Sequence, residues 1–113
     1  MEISTAFTPV LDDIVSRLAS GLSPERIYLF GSQASGKASL GSDYDLLVVV
    51  PHSNLPRHRR EALCYDLLWG LTTPVDVIVL TRTEFRRLSR VKTSLASTAQ
   101  TKGILLYDRP KAG

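Results

Sequence analysis

Four apolar runs divide the chain, and the stretches between them carry apolar residues at helical spacing. Residues 27–30, Ile-Tyr-Leu-Phe, are short and bulky, as in a buried strand. Residues 46–50 place Leu47 and Val49 on one face and Leu46, Val48 and Val50 on the other, which predicts a central strand. Residues 75–80 repeat that character around a single Asp76, and 104–107 predict a short final edge strand. Helical periodicity fills the gaps. Pro9, at a first helical position after Thr8, opens a helix with Val10, Leu11, Ile14, Val15 and Leu18 on one face and Gly21 as its terminator. A second helix is expected over about 56–69, with Ala62, Leu63, Leu67 and Leu68 toward the core. Thr81-Arg82-Thr83-Glu84 has capping-box spacing ahead of a helix bearing Arg86, Arg87 and Arg90, and a further helical stretch runs from about Lys92 to Gly103. The pattern predicts one α/β domain over 1–113, a mixed sheet of about four strands with flanking helices, and a polar tail fraying at about 109–113.

The breaks between the runs hold the chemistry. Gly31 ends the first run with a residue free to take positive φ, and residues 33–37 could open a short helix. The start of such a helix offers unpaired N–H groups and a positive dipole end, both suited to phosphate, and the Ser32 hydroxyl stands at that mouth. Asp43 and Asp45 begin the second run. Residues two apart in a strand project to one face about 6 to 7 Å apart, so these carboxylates can converge on one divalent ion. Without a cation, two unpaired carboxylates there would be costly. If Ser32 shares a site with them, the end of the first strand lies beside the start of the second and the pair is antiparallel. Bringing Asp76 beside Asp43 makes the second and third strands parallel, which requires the intervening helix as a crossover.

Composition narrows the chemistry only a little. With 113 residues and 43% hydrophobic content, the chain supports one modest core. A net charge of +3 and a pI near 9.3 suit an anionic ligand such as a nucleotide, but the excess is too small to argue for duplex nucleic acid. Cys64 is the single cysteine, which excludes an intramolecular disulfide and a cysteine-based zinc cluster and fits a reducing compartment. No signal peptide or apolar span of about 20 residues is visible, so a cytoplasmic location is expected. Arg57-His58-Arg59-Arg60 sits at a helix start, where acidic residues would better complement the dipole; it reads as a solvated face, with phosphate or partner contact as the alternative. His52 and His58 lack companions at metal-ligand spacing.

Gly31-Ser32, ten residues, then Asp43-Tyr44-Asp45, with a later strand carrying Asp76, resembles the signature of the polymerase-β-type nucleotidyltransferase superfamily, and its minimal nucleotidyltransferase branch in particular. The resemblance covers nearly the whole chain. It implies the polymerase-β-like fold, with Asp43, Asp45 and Asp76 as metal ligands and catalytic residues for Mg²⁺, two ions in all, and Gly31 and Ser32 holding the triphosphate of ATP. It implies transfer of AMP to a hydroxyl, a tyrosine in the family, on a helical HEPN-type toxin that the chain neutralises as its antitoxin in a hetero-oligomer. Asp76 would lie beside the acceptor hydroxyl and help remove its proton; its apolar neighbours lead us to expect a buried carboxylate. One departure stands out: Gln33 and Ser35 occupy positions where family members commonly carry arginine. A catalytically weak antitoxin that acts by binding alone therefore stays open, as does a small-molecule nucleotidyltransferase. The latter kind of enzyme needs an acceptor domain that the 33 residues after Leu80 do not provide.

Overall fold

A computed structural model describes residues 9–31, 34 and 44–109. The elements follow in the order α1 (Pro9–Leu22), β1 (Arg26–Phe30), β2 (Tyr44–Val50), α2 (Arg57–Leu67), β3 (Val75–Thr81), α3 (Arg82–Leu88), α4 (Leu95–Lys102) and β4 (Ile104–Asp108). The strands form one mixed sheet in the order β3-β2-β1-β4. β1 runs antiparallel to β2 and β4, while β2 and β3 are parallel and joined through α2. These directions are the ones the site argument required.

The two-faced apolar pattern of β2 makes the sheet a middle layer. Leu46, Val48 and Val50 pack with Leu11, Ile14 and Leu18 of α1 and with Cys64 of α2. Leu47 and Val49 pack on the other side with Phe85 of α3 and Ala96 and Ala99 of α4. Each fully buried leucine of this kind stabilises the fold by about 2 to 5 kcal/mol relative to alanine. Phe85 also stacks on Tyr28 of β1, with ring centroids 5.6 Å apart and planes at 18°. Thr81 and Glu84 form the expected reciprocal capping box at the start of α3.

Several local expectations are corrected. Gly21 lies inside α1 and does not end it; a side chain there would strike Leu67, with a Cβ 2.5 Å from its Cδ atoms, so the glycine permits close packing of α1 on α2. The turn follows at Ser23, at φ 49°. Val10 is exposed, outside the buried stripe of α1. On α2, Ala62 and Leu63 face solvent and Leu67 is half-buried, whereas Arg60, Cys64 and Leu68 are buried. The stripe is displaced because the Arg60 guanidinium has partners inside. Arg90 lies beyond the end of α3, and α4 begins at Leu95, capped by the Ser94 hydroxyl accepting from the Ser97 N–H at 3.0 Å. Asp108 closes β4 opposite Arg26, and the Arg109 N–H donates to the Glu25 carbonyl at 2.8 Å, so the sheet extends further toward the tail than the sequence suggests.

Candidate active site

The end of β1 and the starts of β2 and β3 meet at one end of the sheet. Asp45 is the second residue of β2 and Asp76 the second of β3, and the parallel register sets them side by side. Adjacent strands lie about 4.8 Å apart, close enough for both carboxylates to share a ligand. By alternation they occupy the face that carries Leu47 and Val49. Phe30 pairs with Asp45 across the antiparallel ladder, and the next residue is Gly31.

Gly31 has φ +75°, and a Cβ built on it would lie 2.3 Å from Asp45 Oδ2. The missing side chain thus leaves a cradle that the Asp45 carboxylate fills, and the conformation is one that a side chain would resist. Ala34 is helical, in keeping with a helix after the turn. Ser32, Asp43, Gln33, Ser35 and the rest of the expected 33–37 helix lie outside the described residues.

Asp45 is half-buried, but Asp76 is exposed, contrary to the buried carboxylate expected from its apolar neighbours. Asp76 is the second residue of an edge strand and alternates with Val77 and Val79, which turn into the core. Beside it, the Tyr65 hydroxyl accepts from the Val77 N–H at 3.2 Å, satisfying a donor on that edge. Among the described residues no group of three or more His, Cys, Asp or Glu side chains gathers as a metal site. The two adjoining carboxylates nonetheless form an all-oxygen donor pair, the kind Mg²⁺ prefers.

Toward the other end of β3 the fold holds a polar strut that sequence reasoning missed. Arg60 of α2, 8% exposed, donates from Nη1 and Nη2 to the Glu84 carboxylate at 2.6 and 3.3 Å, from Nη1 to the Val79 carbonyl at 3.2 Å and from Nε to the Leu55 carbonyl at 2.9 Å. It ties the crossover helix to β3 and α3. The Arg60 hydrogen bonds hold the Glu84 carboxyl down to about 2, well below its usual 4.5. Helical spacing to Cys64 and Leu68 was the available signal that Arg60 belongs to the buried stripe. Burial pushes the Cys64 thiol up to about 12, consistent with the core thiol expected.

The chain belongs to the Nucleotidyltransferase domain family, whose profile matches residues 11–105. Two solved structures are similar to it. A proposed nucleotidyltransferase from Sulfolobus solfataricus is 26% identical, with a TM-score of 0.65 over 91% of this chain and 81% of the other. A toxin–antitoxin structure with AMP-PNP is 27% identical, also with a TM-score of 0.65, over 87% of this chain and 73% of the other. No curated protein matches the chain by sequence. No helix among the described residues is long and apolar enough to cross a membrane.

Proposed function

We propose that the chain is the antitoxin of a toxin–antitoxin pair and transfers AMP from ATP to a hydroxyl, a tyrosine hydroxyl by family resemblance, on a helical HEPN-type partner. The observation that carries this reading is the side-by-side placement of Asp45 and Asp76 on adjacent parallel strands at the mouth opened by Gly31. Family membership and the likeness to a toxin–antitoxin structure with AMP-PNP support it.

In the transfer, the acceptor oxygen bonds to the α-phosphorus of ATP as the bond to the bridging oxygen breaks, and pyrophosphate leaves. Asp76, exposed at the sheet edge, is reachable by a hydroxyl carried on a macromolecule and takes its proton. The Asp45 carboxylate occupies the space a side chain on residue 31 would take, so glycine there leaves room for it. Ser32 and the amides after Gly31 would bind the triphosphate. Asp43, Asp45 and Asp76 would hold Mg²⁺, which when bound neutralises charge on the phosphates.

Co-expression with the partner and detection of AMP on it by mass tests the reading. Modification should require ATP and Mg²⁺ and vanish in Asp45→Asn. Neutralisation of the partner without any added AMP would instead favour an antitoxin acting by binding alone, the reading that uncharged Gln33 and Ser35 leave open.

A further inference from the structure

A cavity of about 880 Å³ opens at the end of the sheet away from Asp45 and Asp76. Val49 in its wall lies four residues along β2 from Asp45, roughly 13 Å at the rise of a strand. Guanidiniums reach it from separate parts of the fold: Arg26 from β1, Arg82 and Arg86 from α3, and Arg109 from the residue after β4. Two carboxylates, Glu25 and Asp108, accompany them, leaving a net charge of +2.

The carboxylates orient part of this array without neutralising it. Glu25 receives Arg82, and that hydrogen bond holds the Glu25 carboxyl below its usual range. Asp108 stands 3.7 Å from Arg26, whose Nη1 also donates to the Tyr28 hydroxyl at 3.2 Å. Arg109 Nη1 donates to the Ser23 carbonyl at 3.2 Å. The Arg86 guanidinium has no hydrogen bond or ion pair with a described residue, and it stands one helical turn after Arg82, where like charges repel. An anion between them would relieve that repulsion.

We propose that this cleft binds an anion with two or more adjacent phosphoryl groups, at a site separate from the Asp45–Asp76 pair. The volume falls within the range of small-molecule sites. A tetrahedral polyanion offers oxygens in several directions, matching planar forks that approach from three sides, and a charge of at least two matches the net excess. Pyrophosphate and the phosphates of a nucleotide share this chemistry, and the two titrations below distinguish them.

Calorimetric titration with pyrophosphate, and separately with ADP, in chelator-treated buffer without divalent metal tests the proposal. Arg86→Ala should weaken binding by about tenfold or more, as expected for a lost charge-assisted contact, with the thermal midpoint unchanged. Arg86→Lys should recover part of the loss. Arg87→Ala removes an exposed charge on the same helix outside the cleft and should leave affinity intact, as should Asp45→Asn with Asp76→Asn. Tighter binding of ADP than of pyrophosphate would identify the nucleotide as the source, and the reverse order would identify the free anion. Absence of binding to the wild type at millimolar pyrophosphate and ADP overturns the proposal. So does an equal loss in Arg86→Ala and Arg87→Ala, or a loss in the double aspartate variant that Arg86→Ala does not share.

Discussion

At position 31 a methyl group would sit 2.3 Å from Asp45 Oδ2, and the backbone there already has φ +75°. Gly31→Ala therefore meets two penalties, a left-handed conformation costing about 1 to 2 kcal/mol and displacement of a carboxylate. Denaturant titration should show a loss of at least about 1 kcal/mol, and transfer should fall further than stability alone explains. Asp76 makes a contrasting case, because its exposed side chain can be changed with little effect on packing. Asp76→Asn should retain ATP and Mg²⁺ binding nearly unchanged in calorimetry while transfer drops by ~10² to 10⁴-fold, the usual worth of a general base. Equal losses of binding and transfer would make it chiefly a metal ligand. That Asp76 belongs at the start of β2 with the other carboxylates was legible in the sequence, because a lone carboxylate in an apolar strand demands an explanation; the sequence reading set it beside Asp43, whereas the register pairs it with Asp45. The exposure of Asp76 was not legible, because the run says which residues alternate but not which strand lies at the edge of the sheet.

Among the elements, α2 departs furthest from its sequence pattern, and Arg60 is the cause. A basic cluster at a helix start reads as solvated, yet one of its four residues turns inward to a bidentate carboxylate and two carbonyls. Such a partner, 24 residues away, leaves no local trace, whereas the capping box of α3 and the capped ends of α4 are signalled within a few positions. Glu84 titrates from an ordinary 4.5 when unfolded to about 2 when folded, so its contribution is fully present above about pH 4.5 and is lost as the pH falls toward 2. The shift corresponds to roughly 3 kcal/mol at most. Acid unfolding followed by circular dichroism should show this loss in the wild type. Glu84→Gln should flatten the pH dependence in that window while lowering neutral stability by about 3 to 5 kcal/mol, because it leaves Arg60 buried without its counter-charge. A variant as stable as wild type at pH 7 would show that the strut contributes little.

On the scale of the whole molecule, a sheet with apolar clusters on both faces carries its polar chemistry at its ends: carboxylates where β2 and β3 begin, guanidiniums where they finish. The directions and adjacency of β1, β2 and β3 were recoverable because residues that must share a site fix which strand ends meet, whereas the place of β4 beside β1 was not, since β4 carries no site residue. The basic cleft was not, since Arg26, Arg82, Arg86 and Arg109 converge only through the fold. Clustered carboxylates repel one another in the absence of a cation, so the site should oppose folding until metal and nucleotide bind. Asp45→Asn with Asp76→Asn should then melt at or above the wild-type midpoint in chelator. With Mg²⁺ and ATP added, the wild type should gain about 2.7 kcal/mol at a hundredfold excess over the dissociation constant, a shift of several degrees, because ligand binds only the folded state. The double variant should lose the Mg²⁺-dependent part of that gain and keep only what phosphate binding in the basic cleft contributes without metal. Differential scanning calorimetry in the two buffers measures both effects together, and an equal nucleotide-dependent shift in wild type and variant would remove Asp45 and Asp76 from the metal site.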